Sequence, residues 1–134
     1  MIALDTSVAV PLLLATHTAH ESVKKWAKGR ELTLCAHSLV ETYSVLTRLP
    51  GDNRLAGGDA VRVIDGAFPS PLMMPDAVGK DVHQRLERAG VLGGAVYDGL
   101  VALTALENGI PLASRDRRAV NNYLSLGVEV QLVV

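Results

Sequence analysis

Among its 134 residues the chain has one cysteine, one tryptophan and one phenylalanine, and it carries no charge block, repeat period or low-complexity tract. Each scarcity excludes something. A single thiol rules out an intramolecular disulfide, and Cys35, set in the apolar stretch Leu32 to Ala36, reads as a small buried hydrophobe rather than a reactive group. Long apolar runs are missing too: Val8 to Ala15 is interrupted by Pro11 and falls well short of the roughly 18 residues that cross a bilayer, so no membrane span is expected. Met1 to Val10 carries Asp5 and no Lys or Arg, which is the wrong charge pattern for a secretory signal, and a cytoplasmic protein is the expectation. There is no phosphate-binding glycine loop and no nucleophilic triad.

What is present is ample apolar material, 49% of residues, enough for one core in a single domain covering 1–134. The net charge of −1 argues neither for nor against a polyanionic partner. Its distribution says more. When Asp5, Glu41, Asp98 and Asp116 are set aside from the 14 acids, the remaining ten face 13 basic residues, a surface that tolerates nucleic acid.

Along the chain, short apolar runs alternate with helical patterns. Met1 to Leu4 reads as a buried parallel strand ending at Asp5-Thr6-Ser7, an acid followed by two hydroxyls, and a helical pattern then runs to about Lys28. Leu32 to Ala36 reads as a second strand, Ser38 opens a helix ended by Pro50-Gly51-Asp52-Asn53, and Asp59 to Ala67 is a further helix. Pro71 to Met74 is expected as a strand, Asp76 to Ala89 as an amphipathic helix and Gly90 to Gly94 as a loop. Ala95 to Asn108 reads as a helix closed by Gly109, followed by the strand Ile110 to Ala113, a short helix and a last strand, Val128 to Val133. The expected architecture is a three-layer α/β/α sandwich around a mostly parallel sheet, where ligands gather beyond the carboxyl ends of the strands.

Four acids stand out against that frame. Asp5 and Asp116 each follow an apolar strand, so a parallel sheet brings them to one edge; capping of the next helix is the competing account for each. Asp98 is the only ionisable group besides the Tyr97 phenol between Ala95 and Leu106, and a carboxylate in so apolar a helix needs a cation or hydrogen bonds. Its competing account is a cap on the first helical turn. Glu41 completes a capping-box pattern, Ser38-Leu-Val-Glu41, yet it also keeps company with three other acids at element ends. Four acids clustered without a nucleophile suit Mg²⁺, which prefers oxygen ligands and commonly takes only one or two carboxylates directly.

The order and spacing of Leu4-Asp5-Thr6-Ser7, Ser38-Leu-Val-Glu41, Tyr97-Asp98 and Gly109-Ile-Pro-Leu-Ala-Ser-Arg-Asp116 resemble the PIN-domain family, most closely its VapC-like toxins, from one end of the chain to the other. That resemblance implies an endoribonuclease in which Asp5, Glu41, Asp98 and Asp116 bind Mg²⁺ or Mn²⁺ for phosphodiester cleavage. It also implies a homodimer held in check by a small VapB-like antitoxin. Ser114 stands where the family usually has threonine, keeping a hydroxyl that, with Thr6 and Ser7, would support the carboxylates. The aromatic residue often found shortly after the last acid is replaced by Arg117-Arg118-Ala-Val.

Other candidates are weaker. His17 and His20 have i, i+3 spacing but no third ligand in view, and His37 and His83 stand alone; all four are expected on solvated faces. Arg115, Arg117 and Arg118 flank the last acid and are candidates for the RNA backbone, ahead of Arg48 and Arg54. Trp26 and Tyr43 read as core or interface residues rather than base-stacking platforms, and the helices around Val23 to Ala27 and Leu39 to Leu49 offer apolar residues for a partner groove. Three other readings stay open: a housekeeping PIN-type nuclease, a phosphoryl-transfer domain and a binding module whose acids merely cap helices. A dehalogenase-type domain wants an aspartate where Ser7 stands, and a receiver wants a lysine after a late strand that Ile110 to Asp116 does not supply.

Overall fold

The computed structural model describes all residues, 1–134. Its centre is a four-stranded, all-parallel sheet of order β2-β1-β3-β4, built from β1 (Ile2–Leu4), β2 (Leu32–Leu34), β3 (Leu112–Ser114) and β4 (Val130–Leu132). Side chains alternate across it, as extended chain requires. Ile2, Leu4 and Ala113 face one core with Val8, Val23, Leu46 and Ile64, while Ala3 and Leu112 face another with Val101, Leu103 and Tyr123. Helices therefore cover both faces, giving a three-layer α/β/α sandwich. On the first side lie α1 (Thr6–Leu13), α2 (His20–Ala27), α3 (Ala36–Thr47) and α4 (Gly57–Ala67). On the second, after the four-residue α5 (Asp76–Gly79), lie α6 (Val82–Arg88), α7 (Val96–Glu107) and α8 (Arg117–Ser125).

Where the pattern misled, the cause is local. The helical stretch expected from Ser7 to Lys28 is two helices. Pro11 sits inside α1, Leu14 turns extended, and the freed Pro11 carbonyl accepts from His20 Nδ1 at 2.8 Å while His17 Nδ1 accepts from the Ala19 amide. His17 and His20 thus fasten this turn; they share no helix face and are half-buried rather than solvated. Pro71 to Met74 yields no full strand: Leu72 alone pairs beside β2, donating to the Leu34 carbonyl and accepting from the Ala36 amide. Pro71 and Pro75 have no amide hydrogen with which to extend the ladder. The helix expected over Asp76 to Ala89 breaks between Gly79 and Val82, in a stretch where Asp76 to Gly79 buries nothing and Val82 to Arg88 buries only Leu86.

Two elements matter most for the site. β1 pairs with β3 so that Leu4 lies opposite Ala113, and the Asp5 amide donates to the Ala113 carbonyl, which sets Asp5 beside Ser114 at the carboxyl edge of the sheet. Helix α7, which buries Gly99 and Val101 to Ala105, packs against α3 and α8 and brings its first turn to the same edge. Gly109, at φ +68°, takes the left-handed conformation that closes α7 and turns the chain into β3.

Candidate functional site

The four acids, far apart in sequence, line one cavity of about 170 Å³ at the carboxyl edge of the sheet, together with Thr6, Ser7, Ala119 and Tyr123. Asp5 arrives on the end of β1, Asp116 two residues beyond β3, Glu41 from the second turn of α3 and Asp98 from the first turn of α7. Larger surface depressions elsewhere are lined by Lys24, Lys25 and Lys28, or by apolar side chains, and hold no comparable grouping of acids.

Three of the carboxylates have a hydrogen-bonding frame. Asp5 Oδ1 accepts from the Ser7 amide at 3.0 Å and from the Ser7 hydroxyl, and Oδ2 accepts from the Tyr123 hydroxyl at 2.9 Å. Ser7 Oγ in turn accepts from the Arg115 amide, and Ser114 Oγ from the Asp116 amide, so the two hydroxyls tie the loops after β1 and β3 together. Glu41 accepts from Thr6 Oγ1 at 2.9 Å on one oxygen and from His37 Nε2 at 2.8 Å on the other. Asp116 accepts from the amides of Arg118 and Ala119 through Oδ1 alone. Asp98 has no such frame; the Asn122 side chain is near enough only to favour its charged form.

The competing accounts now separate. Asp5 and Asp116 do cap α1 and α8, so for these two the capping and cavity-lining readings hold together. The capping box at Ser38-Leu-Val-Glu41 does not form: α3 starts at Ala36, and the buried Ser38 hydroxyl has no hydrogen-bonding partner to cap with. Glu41 lies a turn further in and reaches the cavity instead. Asp98 makes no cap on α7.

Electrostatics follow from burial and crowding. Burial, first, pushes the Asp5 carboxyl above the ordinary aspartate range, against hydrogen bonds from Ser114, Ser7 and Tyr123 that pull it down. Asp98 is also raised, by burial first and then by the like charges of Glu41, Asp5 and Asp116, with the Asn122 hydrogen bond opposing. Burial and the same acids push the Tyr123 phenol upward, which keeps it a proton donor to Asp5. No Lys or Arg pairs with any of the four: the ion pairs in the molecule are His37–Glu41, Arg62–Asp59 and Arg85–Glu107. As the side chains stand, no three of the acids close on one point at ligand distance. The all-oxygen donor set nonetheless fits a hard cation that retains waters, since such an ion needs only one or two direct carboxylates.

Tyr123, Asn122 and His37 are site residues that the pattern did not reveal. His37 does not stand alone on a solvated face; it bonds Glu41 and lies parallel to the Tyr97 ring, with centroids 5.6 Å apart and planes within 7°. Of the basic candidates, Arg117 and Arg118 are exposed beside Asp116, whereas Arg115 is half-buried with its Nε unpartnered. His83, Arg48 and Arg54 are exposed and lie outside the cavity lining. Cys35 is buried, its thiol pushed up to about 12 by burial, as expected for a small hydrophobe. Trp26 packs against the core beneath Arg30. Val23 is fully buried too, so the apolar surplus expected on α2 is spent internally, while Val40 and Tyr43 on α3 stay exposed beside Val61 of α4.

This sheet order, with an acidic cavity beyond its carboxyl edge, defines an α/β domain with a four-carboxylate site. The chain belongs to the PIN-domain family, whose model matches residues 2–123. It is 50% identical to Ribonuclease VapC27 of Mycobacterium tuberculosis over 129 residues, 96% of this chain and 94% of that protein. It is 42% identical to Ribonuclease VapC40 of the same species, across 99% of each chain. The fold is similar to the crystal structure of FitAcB from Neisseria gonorrhoeae, with TM-score 0.69 and 21% identity over 97% of this chain and 96% of that one. No helix is long and apolar enough to cross a membrane.

Proposed function

We propose that this chain is a divalent-metal-dependent endoribonuclease, acting as the toxin of a toxin–antitoxin pair, with Mg²⁺ or Mn²⁺ held by Asp5, Glu41, Asp98 and Asp116. The observation that carries the reading is four carboxylates on one cavity with no Lys or Arg to neutralise them. Half-identity to a protein named as a ribonuclease supports RNA as the substrate class.

The chain's own residues prepare the site. Tyr123 and Ser7 fix both oxygens of Asp5, and Thr6 and His37 fix both oxygens of Glu41, so neither carboxylate has to be ordered when a cation arrives. Asp116 spends one oxygen on the amides of α8 and keeps the other for the cavity. Asp98 adds a charge that burial and the like charges of Glu41, Asp5 and Asp116 oppose. A divalent ion there supplies Lewis acidity toward water and a phosphate oxygen. Arg117 and Arg118, exposed at the mouth, supply positive charge for the RNA backbone, and Arg115 lies behind them.

An uncompensated anionic cavity is also a receptor for a cationic side chain. A small VapB-like antitoxin that places an Arg or Lys there would compete directly with the metal. The exposed Val40, Tyr43 and Val61 supply apolar surface for a protein contact, such as a second copy in a homodimer.

The test is RNA cleavage in Mg²⁺ or Mn²⁺ against excess EDTA. Cleavage is expected to vanish in EDTA and in Asp5→Asn; full cleavage in EDTA contradicts the nuclease mechanism. Growth arrest on expression of the chain alone, relieved by the small protein encoded beside it, tests the toxin role. Harmless expression with nothing small co-purifying leaves a nuclease without an antitoxin.

A further inference from the structure

The chain holds three tyrosines, one tryptophan and one phenylalanine. Phe68 and Tyr123 are buried and Trp26 packs on the core. Tyr43 is exposed but lies beside Val40 and Val61, away from the acids, whereas Tyr97 is 55% exposed and the residue after it in α7 is Asp98, at the cavity. Its ring lies parallel to the His37 imidazole, 5.6 Å between centroids. Carbon contact between stacked faces falls near ~3.5–4 Å, so parallel rings at that centroid distance are slid sideways and leave part of each face uncovered. His37 is itself pinned by its hydrogen bond to Glu41. The result is a stepped shelf of two offset parallel rings, pinned at His37 through its bond to Glu41 and open at Tyr97, which precedes Asp98 in the chain.

Such a shelf adds little to the core, since Tyr97 leaves more than half of its surface in water. It has the form used to hold single-stranded nucleic acid, in which a base lies on an aromatic face next to positive charge that tracks the backbone. The exposed Arg117 and Arg118, flanking Asp116 on another wall of the cavity, supply that charge. We propose that Tyr97, backed by His37, is the stacking platform for a nucleobase of single-stranded RNA next to the scissile phosphate. The inference rests on the ribonuclease reading above and names the part of the chain that grips the substrate base. Because every base has a π-face, the contact favours unpaired over paired RNA more than one base over another.

The experiment uses the intact protein and a single-stranded oligoribonucleotide with 2-aminopurine at successive positions around the cleavage site. Tyr97→Ala is expected to raise KM roughly 5- to 100-fold, the range for loss of one aromatic–base stack, with kcat unchanged. Tyr97→Phe, which keeps the ring, should match the parent. Fluorescence of one 2-aminopurine should be quenched on binding to the parent and to Tyr97→Phe but not to Tyr97→Ala. An unchanged KM, or a quench that persists in Tyr97→Ala, overturns the proposal. A fall in kcat at constant KM also overturns it, since Tyr97 would then act only by steadying His37 and Glu41. If the parent cleaves no RNA, the ribonuclease reading fails, and the quench, which needs binding alone, still decides whether Tyr97 stacks on a base.

Discussion

Asp5 and Asp98 are both raised above the ordinary aspartate range, and burial is the larger cause for each. A carboxyl raised in this way binds its proton more tightly in the folded chain than in the unfolded one. The folded state therefore loses relative stability as pH climbs from the ordinary carboxylate range through the raised value, and regains it as pH falls. Without metal, Asp98→Asn removes that penalty while keeping the shape of the side chain. Its melting temperature is expected to exceed that of the parent at pH 7.5 by about 1–4 °C, the scale of one relieved like-charge contact, with the gap closing toward pH 4. A lower melting temperature at neutral pH would mean that the Asp98 charge is structural. Tyr123→Phe should act in the opposite direction, because it leaves a buried oxygen of Asp5 without its donor, at a cost of about 1–3 kcal/mol measurable by denaturant unfolding. The four acids were legible in the sequence because each stands beside an apolar run. Tyr123 was not, since its partner is 118 positions away and only the packing of α8 reveals it. His37 was hidden by a boundary: with the helix begun at Ser38, its i, i+4 relation to Glu41 fell outside the helix.

At the level of elements, glycine tests the packing of the helices with opposite signs. A Cβ on Gly99 would stand 2.3 Å from Leu86 Cδ2, so any side chain at that position of α7 forces the buried Leu86 side chain of α6 to shift. Gly99→Val is expected to cost about 1–3 kcal/mol by overpacking, read from urea unfolding. Gly66 lies in α4 with nothing near its would-be Cβ, and Gly66→Ala should stabilise by up to about 1 kcal/mol through helix propensity. Equal effects at the two positions would show that α6 does not press on α7. The strands and the long helices α3, α4 and α7 were readable from apolar periodicity. The breaks were less so, because they depend on which carbonyls find partners. Pro11 and His20 fix the first break through one hydrogen bond across the turn, and the one after Gly79 falls where few side chains are buried.

For the molecule as a whole, the parallel sheet is what turns four scattered acids into one site, since it brings the ends of β1 and β3, the second turn of α3 and the first turn of α7 to one edge. Like charges crowd Asp98 there, so if the proposed metal binds, the folded state itself would report it. The most direct measurement is the melting temperature at pH 7.5 as Mn²⁺ is titrated from zero, for the parent and for Asp98→Asn. The account predicts that the parent's melting temperature climbs with the logarithm of Mn²⁺ concentration once the site begins to fill, as ligand linkage requires, and that the variant responds little. A parent whose melting temperature ignores Mn²⁺ would contradict metal binding at this cavity, and a variant that responds as strongly would take Asp98 out of the metal site.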